Sequence, residues 1–317
     1  MLNAFGRMEK SFSGARRVVH IYQRSKNGYL LFYTASDYLV FFSIACNAAR
    51  NRGMRVLGIC PMFDHVHMVV AAERREDVRM FVRDVFSQYA KAFNASIGAS
   101  GPVFCKHFGC AVKKGDKAIR TTLSYLYNNP GEKGLCTKAE EFRWTFLAYA
   151  ASTHPFSEPL IKKKCSRRLV RAMKGINLLR TSSLPLVYPL LKKEFSGLCA
   201  KEKQQLVDFI ITSYNCIDYE TLLSLYGNSY NQACLAFASN QGAEYEIHEE
   251  YDPTSHRAFM EIPRRLSDMG HKDIKSILKL PPESRFEILL SLFHVSKATM
   301  KQLCKYLRIE IPQQIKR

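Results

Sequence analysis

The sequence has no run of about 18 uninterrupted apolar residues, the length a membrane-spanning helix needs, so no span is expected. Its longest apolar stretch, residues 38–49, is broken by Asn47 and bounded by Asp37 and Arg50. The first 17 residues lack the apolar centre of a secretory signal, and a cytoplasmic location is expected. None of the 10 cysteines stands in a C-x-x-C pair, which removes the commonest spacing of a structural zinc site. Without a secretion signal those thiols are expected to be reduced and used mainly in packing. Internal repeats and low-complexity blocks are also missing.

The composition is that of a globular chain, 47% hydrophobic and 24% charged, and 317 residues suggest two or three domains. The formal charge of +19 favours an acidic polymer as partner, nucleic acid first, although a basic surface can also be a solvated one. That charge is uneven. Residues 162–203 hold 12 basic and 2 acidic residues, whereas 204–256 hold 8 acidic residues and neither Lys nor Arg. A Pro- and Ser-containing stretch with a basic run at 152–168 reads as a boundary. The expected organisation is a domain over 1–150, a basic linker with helices over 151–203, and a helical DNA-binding region over 204–317.

In the first domain, strands are predicted at 18–24, 54–60, 65–70 and 109–114, and helices at 36–50, 76–94 and 116–129, the last ended by Pro130-Gly131. Interleaved strands and helices make this domain α/β or α+β. Near the end of the chain, a helix from Pro282 is followed by a second one capped by Ser296. The second presents Met300, Leu303, Cys304 and Leu307 on one face and Lys297, Lys301, Lys305 and Arg308 on the other. The pair, 283–308, suits a helix-turn-helix with Lys297, Lys301 and Lys305 toward DNA, and equally a plain amphipathic pair with a solvated face.

The most specific pattern is MFDHVHMVV, 62–70. Alternate residues of a strand share a face, so His65 and His67 lie side by side while Val66 points to the core. Two neutral imidazoles at this spacing can bind one divalent ion, or can simply be two histidines on a half-exposed strand. In LSYLYNNPGEKGL, 123–135, Tyr125 and Asn129 are four apart and lie off the apolar stripe of Ile119, Leu123 and Leu126. That places a phenol one turn from an amide oxygen; cover of apolar surface and a helix cap are the bland alternatives. Tyr89 is a rival phenol within the stripe of its helix and reads as core, and Tyr127 lacks an amide partner at i+4.

Taken together, these segments resemble the single-tyrosine HUH transposases, in particular the REP-associated tyrosine transposases. The matching segments are Met62-Phe63-Asp64-His65-Val66-His67, Tyr89-Ala90-Lys91-Ala92-Phe93-Asn94, Gly101 to Phe108, Tyr125-Leu126-Tyr127-Asn128-Asn129-Pro130, and Phe142-Arg143-Trp144. The likeness runs over about residues 15–150. Phe63 and Asp64 depart from the usual Pro-Asn of the family, which leaves the histidines intact but alters the turn and brings a carboxylate close to the metal that the resemblance implies. The resemblance implies an α+β, ferredoxin-like HUH nuclease core with an antiparallel sheet. It implies Mg²⁺ or Mn²⁺ on His65, His67 and Asn129, and Tyr125 as nucleophile. The implied activity is cleavage and strand transfer of single-stranded or hairpin DNA through a 5′-phosphotyrosine. Arg24 stands where the family places an arginine. Lys91, Lys106, His107, Lys113 and Lys114 are further candidates for backbone phosphate. A nucleoid-associated monomer or homodimer is expected. The alternative is a silent or domesticated DNA-binding protein acting on palindromic repeats.

Overall fold

The computed structural model describes residues 17–239 and 255–310. The first residues of the expected catalytic domain, 1–16, and parts of the expected helical region, 240–254 and 311–317, lie outside the described residues. Four antiparallel strands form one sheet in the order β2-β3-β1-β4. They are β1 (Arg17–Arg24), β2 (Arg55–Pro61), β3 (His65–Ala72) and β4 (Gly109–Lys113). Helix α1 (Ala35–Asn51) connects β1 to β2, and α2 (Arg75–Ile97) connects β3 to β4. This βαββαβ path with antiparallel pairing is the ferredoxin-like arrangement, an α+β fold.

Both faces of the sheet are covered. Val66, Met68 and Val70 of β3, with Val19, Ile21 and Ile59, pack on Phe41, Phe42, Phe81, Val85 and Tyr89 of α1 and α2. Helices α4 (Arg167–Thr181), α5 (Tyr188–Phe195) and α6 (Ala200–Tyr214) extend this core through Leu169, Ile176, Leu191 and Ile210. The opposite face, Val18, Leu57, Cys60, Val69 and Ala71, lies beneath α3 (Gly115–Glu132), with α7 (Tyr219–Ser224) and α8 (Tyr230–Ser239) alongside. At Gly58 a Cβ would meet Tyr127 Oη at 3.2 Å and Leu126 Cδ2 at 3.3 Å, so the missing side chain lets α3 lie close on β2. A third core joins α9 (Arg257–Asp268), α10 (Ile274–Leu278), α11 (Pro282–Val295) and α12 (Met300–Leu307) to Leu30.

Some boundaries differ from the sequence expectation. Helix α3 runs through Pro130 to Glu132. Proline withholds one N–H near the helix end, and backbone bonds from Lys133 to Asn129 and from Leu135 to Pro130 close the turn. Ser296 terminates α11, and Thr299 caps α12: its hydroxyl accepts the Gln302 N–H at 3.2 Å, and Gln302 Oε1 accepts the Thr299 N–H at 2.8 Å. No helix among the described residues is long and apolar enough to cross a membrane.

A buried carboxylate ties these layers together. Asp37 of α1 is fully buried; its Oδ2 accepts from the backbone N–H of Tyr33 at 3.0 Å and Thr34 at 2.8 Å. Its Oδ1 accepts from the Tyr188 hydroxyl of α5 at 2.8 Å and sits 2.7 Å from Lys275 Nζ of α10. Replacing Lys275 with Met strands much of that buried charge. It should cost about 3 kcal/mol or more of unfolding free energy, measured by denaturant titration. A loss below about 0.5 kcal/mol, the surface-substitution range, would show that Asp37 needs no cation.

Candidate functional site

Strand β3 is buried along its whole length, so its period-two alternation decides which residues enter each layer. With Val66 and Met68 committed to the α1–α2 side, His65 and His67 face α3. The register sets Arg24 opposite His65 and Tyr22 opposite His67, so β1 contributes His20, Tyr22 and Arg24 to the same face. The rings of His65 and His67 lie edge to face with centroids 4.9 Å apart, and Tyr22 stacks on His67 at 4.8 Å. Arg24 donates to the Tyr22 hydroxyl, its guanidinium carbon 5.2 Å from that ring.

Helix α3 crosses this face with Tyr125 and Asn129 one turn apart. The Tyr125 ring meets His67 edge-on at 5.1 Å and His20 at 6.0 Å, and it is half-buried. Asn129 is buried; its Nδ2 donates to His67 Nε2 at 3.4 Å, and its Oδ1 has no hydrogen-bond partner. Since His67 Nε2 accepts, Nδ1 carries the proton and donates to His20 Nε2 at 3.1 Å. His65 donates from Nδ1 to Asp64 Oδ1 at 2.7 Å, which leaves its Nε2 with a lone pair. His65 thus turns Nε2 away from Asp64, the Nε2 of His67 faces the Asn129 amide, and the orphaned amide oxygen stands beside it. Among the described residues no group of three or more His, Cys, Asp or Glu is arranged to hold a metal; the candidate donors that meet here are the two imidazoles and the Asn129 amide oxygen.

Burial sets the protonation states. It holds His67 well below its ordinary value, and the charges of His65, His20 and Arg24 push the same way. Burial, then the Lys113 charge, lowers His20 to about 4. For Asp64 burial opposes ionisation, but the His65 hydrogen bond and the charges of His65, His256 and Lys305 outweigh it and hold the carboxyl well below the usual range.

The rival phenols are placed elsewhere. Tyr89 is fully buried on the α1–α2 side, where its hydroxyl donates to Leu31 O at 2.7 Å. Tyr127, also fully buried, donates to Leu57 O at 3.2 Å and stacks on Phe237. Lys106 and His107 are exposed before β4, Lys113 and Lys114 flank the start of α3, and Lys91 is exposed on α2, across the sheet from the histidines. Lys297 and Lys301 are exposed, whereas Lys305 turns inward to 4.0 Å from Asp64. His20 and Tyr22 were missed from sequence, although the alternation that aligned His65 with His67 puts them on the same face as Arg24. His256, 3.8 Å from Asp64, carried no local signal.

The lowered values of His20 and His67 have a defined sign. An unfolded imidazole titrates near 6.5, so between roughly pH 6.5 and 4 the unfolded chain binds more protons than the fold. Without metal, stability should be full above that window and fall as pH drops through it, and His20→Gln should make the fall shallower. Denaturant unfolding across the window checks this; a flat profile would mean that the rings are solvated.

Residues 16–129 match the model of the family described as "Transposase IS200 like", a segment that runs from the start of β1 to Asn129. Comparison with curated proteins finds no match. Among solved structures the chain is similar to "Structure of the REP associates tyrosine transposase bound to a REP hairpin", at 16% identity and a TM-score of 0.35. That likeness covers 42% of this chain and 78% of the other, and is too loose to assign a role to any residue.

Proposed function

We propose that this chain, whose residues 16–129 carry an IS200-like transposase domain, cleaves and rejoins single-stranded DNA, a hairpin strand included, with Tyr125 as nucleophile. The observation that carries the reading is the meeting of α3 with β3, which sets Tyr125 against His67 and leaves the buried Asn129 Oδ1 unpartnered beside it. A buried amide oxygen without a partner costs about 1–3 kcal/mol, and a cation there would recover that cost. His65, His67 and Asn129 would hold Mg²⁺ or Mn²⁺. The ion, when bound, would neutralise and orient the anionic phosphodiester.

The chain's own residues supply the rest. Tyr125 Oη bonds to phosphorus as the P–O3′ bond breaks; the phenolic proton is lost and the freed 3′ oxygen takes up a proton. The phosphotyrosine keeps the ester linkage, so a 3′-hydroxyl can attack it and release the tyrosine. His20 fixes the His67 tautomer, and Tyr22 holds its ring in plane. Arg24 and Lys113, at opposite ends of the same sheet face, supply positive charge for the strand's backbone. Lys106, His107 and Lys114 extend that charge along the exposed loop and helix start, and Lys297 and Lys301 offer contacts for a hairpin stem. We further read 1–150 as the catalytic domain, 151–203 as a basic helical connection and 204–317 as a helical DNA-binding region.

Labelled single-stranded DNA with Mg²⁺ or Mn²⁺, resolved on denaturing gels with peptide mapping, tests this. Tyr125→Phe should abolish the covalent adduct while stability stays within about ±0.5 kcal/mol, since the residue is only half-buried and its ring is kept. His65→Ala, His67→Ala and chelation should each stop cleavage. A full-yield adduct on another tyrosine, or cleavage that survives chelation, would overturn the mechanism. A chain that binds hairpin DNA without ever forming an adduct would be a silent DNA-binding protein.

A further inference from the structure

The two residues that depart from the family's motif, Phe63 and Asp64, both meet the C-terminal helices. Phe63 packs edge-on against His256 at 5.8 Å and against Phe259 of α9 at 5.5 Å. Asp64 Oδ1 lies 3.8 Å from His256 Nε2, and Oδ2 lies 4.0 Å from Lys305 Nζ of α12. The same Oδ1 accepts the Nδ1–H of His65 at 2.7 Å. All four polar side chains are at most 14% exposed, so the carboxylate is a buried charge that needs partners.

Backbone bonds fix the supports in place. The His256 N–H donates to Lys133 O at 3.0 Å, at the end of the helix that carries Tyr125 and Asn129. Gln302 Nε2 of α12 donates to Ser255 O at 2.9 Å, joining α12 to the residue before His256. The Lys305 stem passes 3.1 Å from where a Cβ would stand at Gly28, so glycine there leaves it room to reach Asp64.

We propose that Asp64, His256 and Lys305 are positioning residues for His65: the C-terminal helices hold Asp64, and Asp64 holds the imidazole with Nε2 presented to the candidate metal site. The inference rests on the reading of His65 as a ligand. A neutral amide in the place of Asp64 would not require a buried cation. A carboxylate does; Lys305 answers it as the cation and the His256 ring stands 3.8 Å from it, both from elements more than 190 residues away in the chain. A carboxylate accepting from the far nitrogen of a ligand imidazole fixes its tautomer and raises its basicity, an effect worth about 10–100-fold in metal affinity.

The test is Mn²⁺ affinity of the full-length protein, read as free Mn²⁺ by electron paramagnetic resonance, with folding checked by circular dichroism. Lys305→Met should weaken binding about 10-fold or more, and Lys305→Arg should retain it within about 3-fold. In an Asp64→Asn background, Lys305→Met should bring no further loss, because no carboxylate remains to be held. His256→Leu should follow the same pattern and serves as the measurement if Lys305→Met does not fold. Affinity unchanged in Lys305→Met, or the same loss with and without Asp64, overturns the proposal. Absence of Mn²⁺ binding to the parent protein, or undiminished binding by His65→Ala, instead removes the metal-centre reading and this inference with it.

Discussion

Burial of β3 on both faces is the constraint from which the rest of the candidate site follows. A strand with one wet face can carry histidines without consequence, since water satisfies them. Here α1 and α2 cover one face and α3 the other, so each ring nitrogen of His67 meets a protein group. His20 answers Nδ1, Asn129 answers Nε2, and Tyr22 covers the ring. Desolvation that would penalise charged imidazoles keeps these neutral, which is the form able to donate a lone pair. The same dryness makes the unpartnered Asn129 oxygen informative. On an exposed helix it would be solvated and would point to nothing.

Two buried carboxylates set how the C-terminal helices sit. Asp37, at the start of α1, accepts Lys275 from α10; Asp64, in the turn before β3, faces Lys305 from α12. Apolar surface alone tolerates sliding, because Leu and Phe side chains exchange neighbours at little cost. An ion pair below the surface does not, since a shift of a few ångströms leaves a charge without its partner. Two such pairs on different helices fix both position and rotation of the 255–310 unit against the sheet domain. Phe63, seated among His256 and Phe259, adds the apolar part of that joint.

Much of the sheet domain was legible in sequence because local period and burial agree there. The strands and helices of βαββαβ fall within a few residues of their expected bounds, and the phase of His65, Val66 and His67 is as the alternation requires. Tyr125 and Asn129 share a helix face because four residues make about one turn, wherever that helix packs. What could not be read was what depends on distant partners. Helices were expected within 151–203, but not the bounds of α4 and α5, whose apolar faces are sparse and become evident only against α1 and α6. Lys305 looked like part of a solvated basic face, because helix phase cannot show that Asp64 lies 4.0 Å away. Pro130 looked like a stop, yet a proline in the last turn costs one bond and α3 continues past it.

The three phenols near the motifs show why burial, and not spacing alone, discriminates among candidate nucleophiles. A tyrosine that attacks a DNA strand must release its proton and reach phosphorus, so its oxygen needs a route to the substrate. Tyr89 and Tyr127 each spend the hydroxyl on a backbone carbonyl inside a core, and burial raises both well above the ordinary phenol value. Freeing either oxygen would break a buried hydrogen bond and open the packing around a ring with no exposed surface. Tyr125 is only half-buried, and its ring edge rests on His67. The stripe of α3 explains the difference. Ile119, Leu123, Leu126 and Tyr127 face the sheet and fill the core, so the rotation of the helix that buries them is the rotation that carries Tyr125 to the margin of the histidine face.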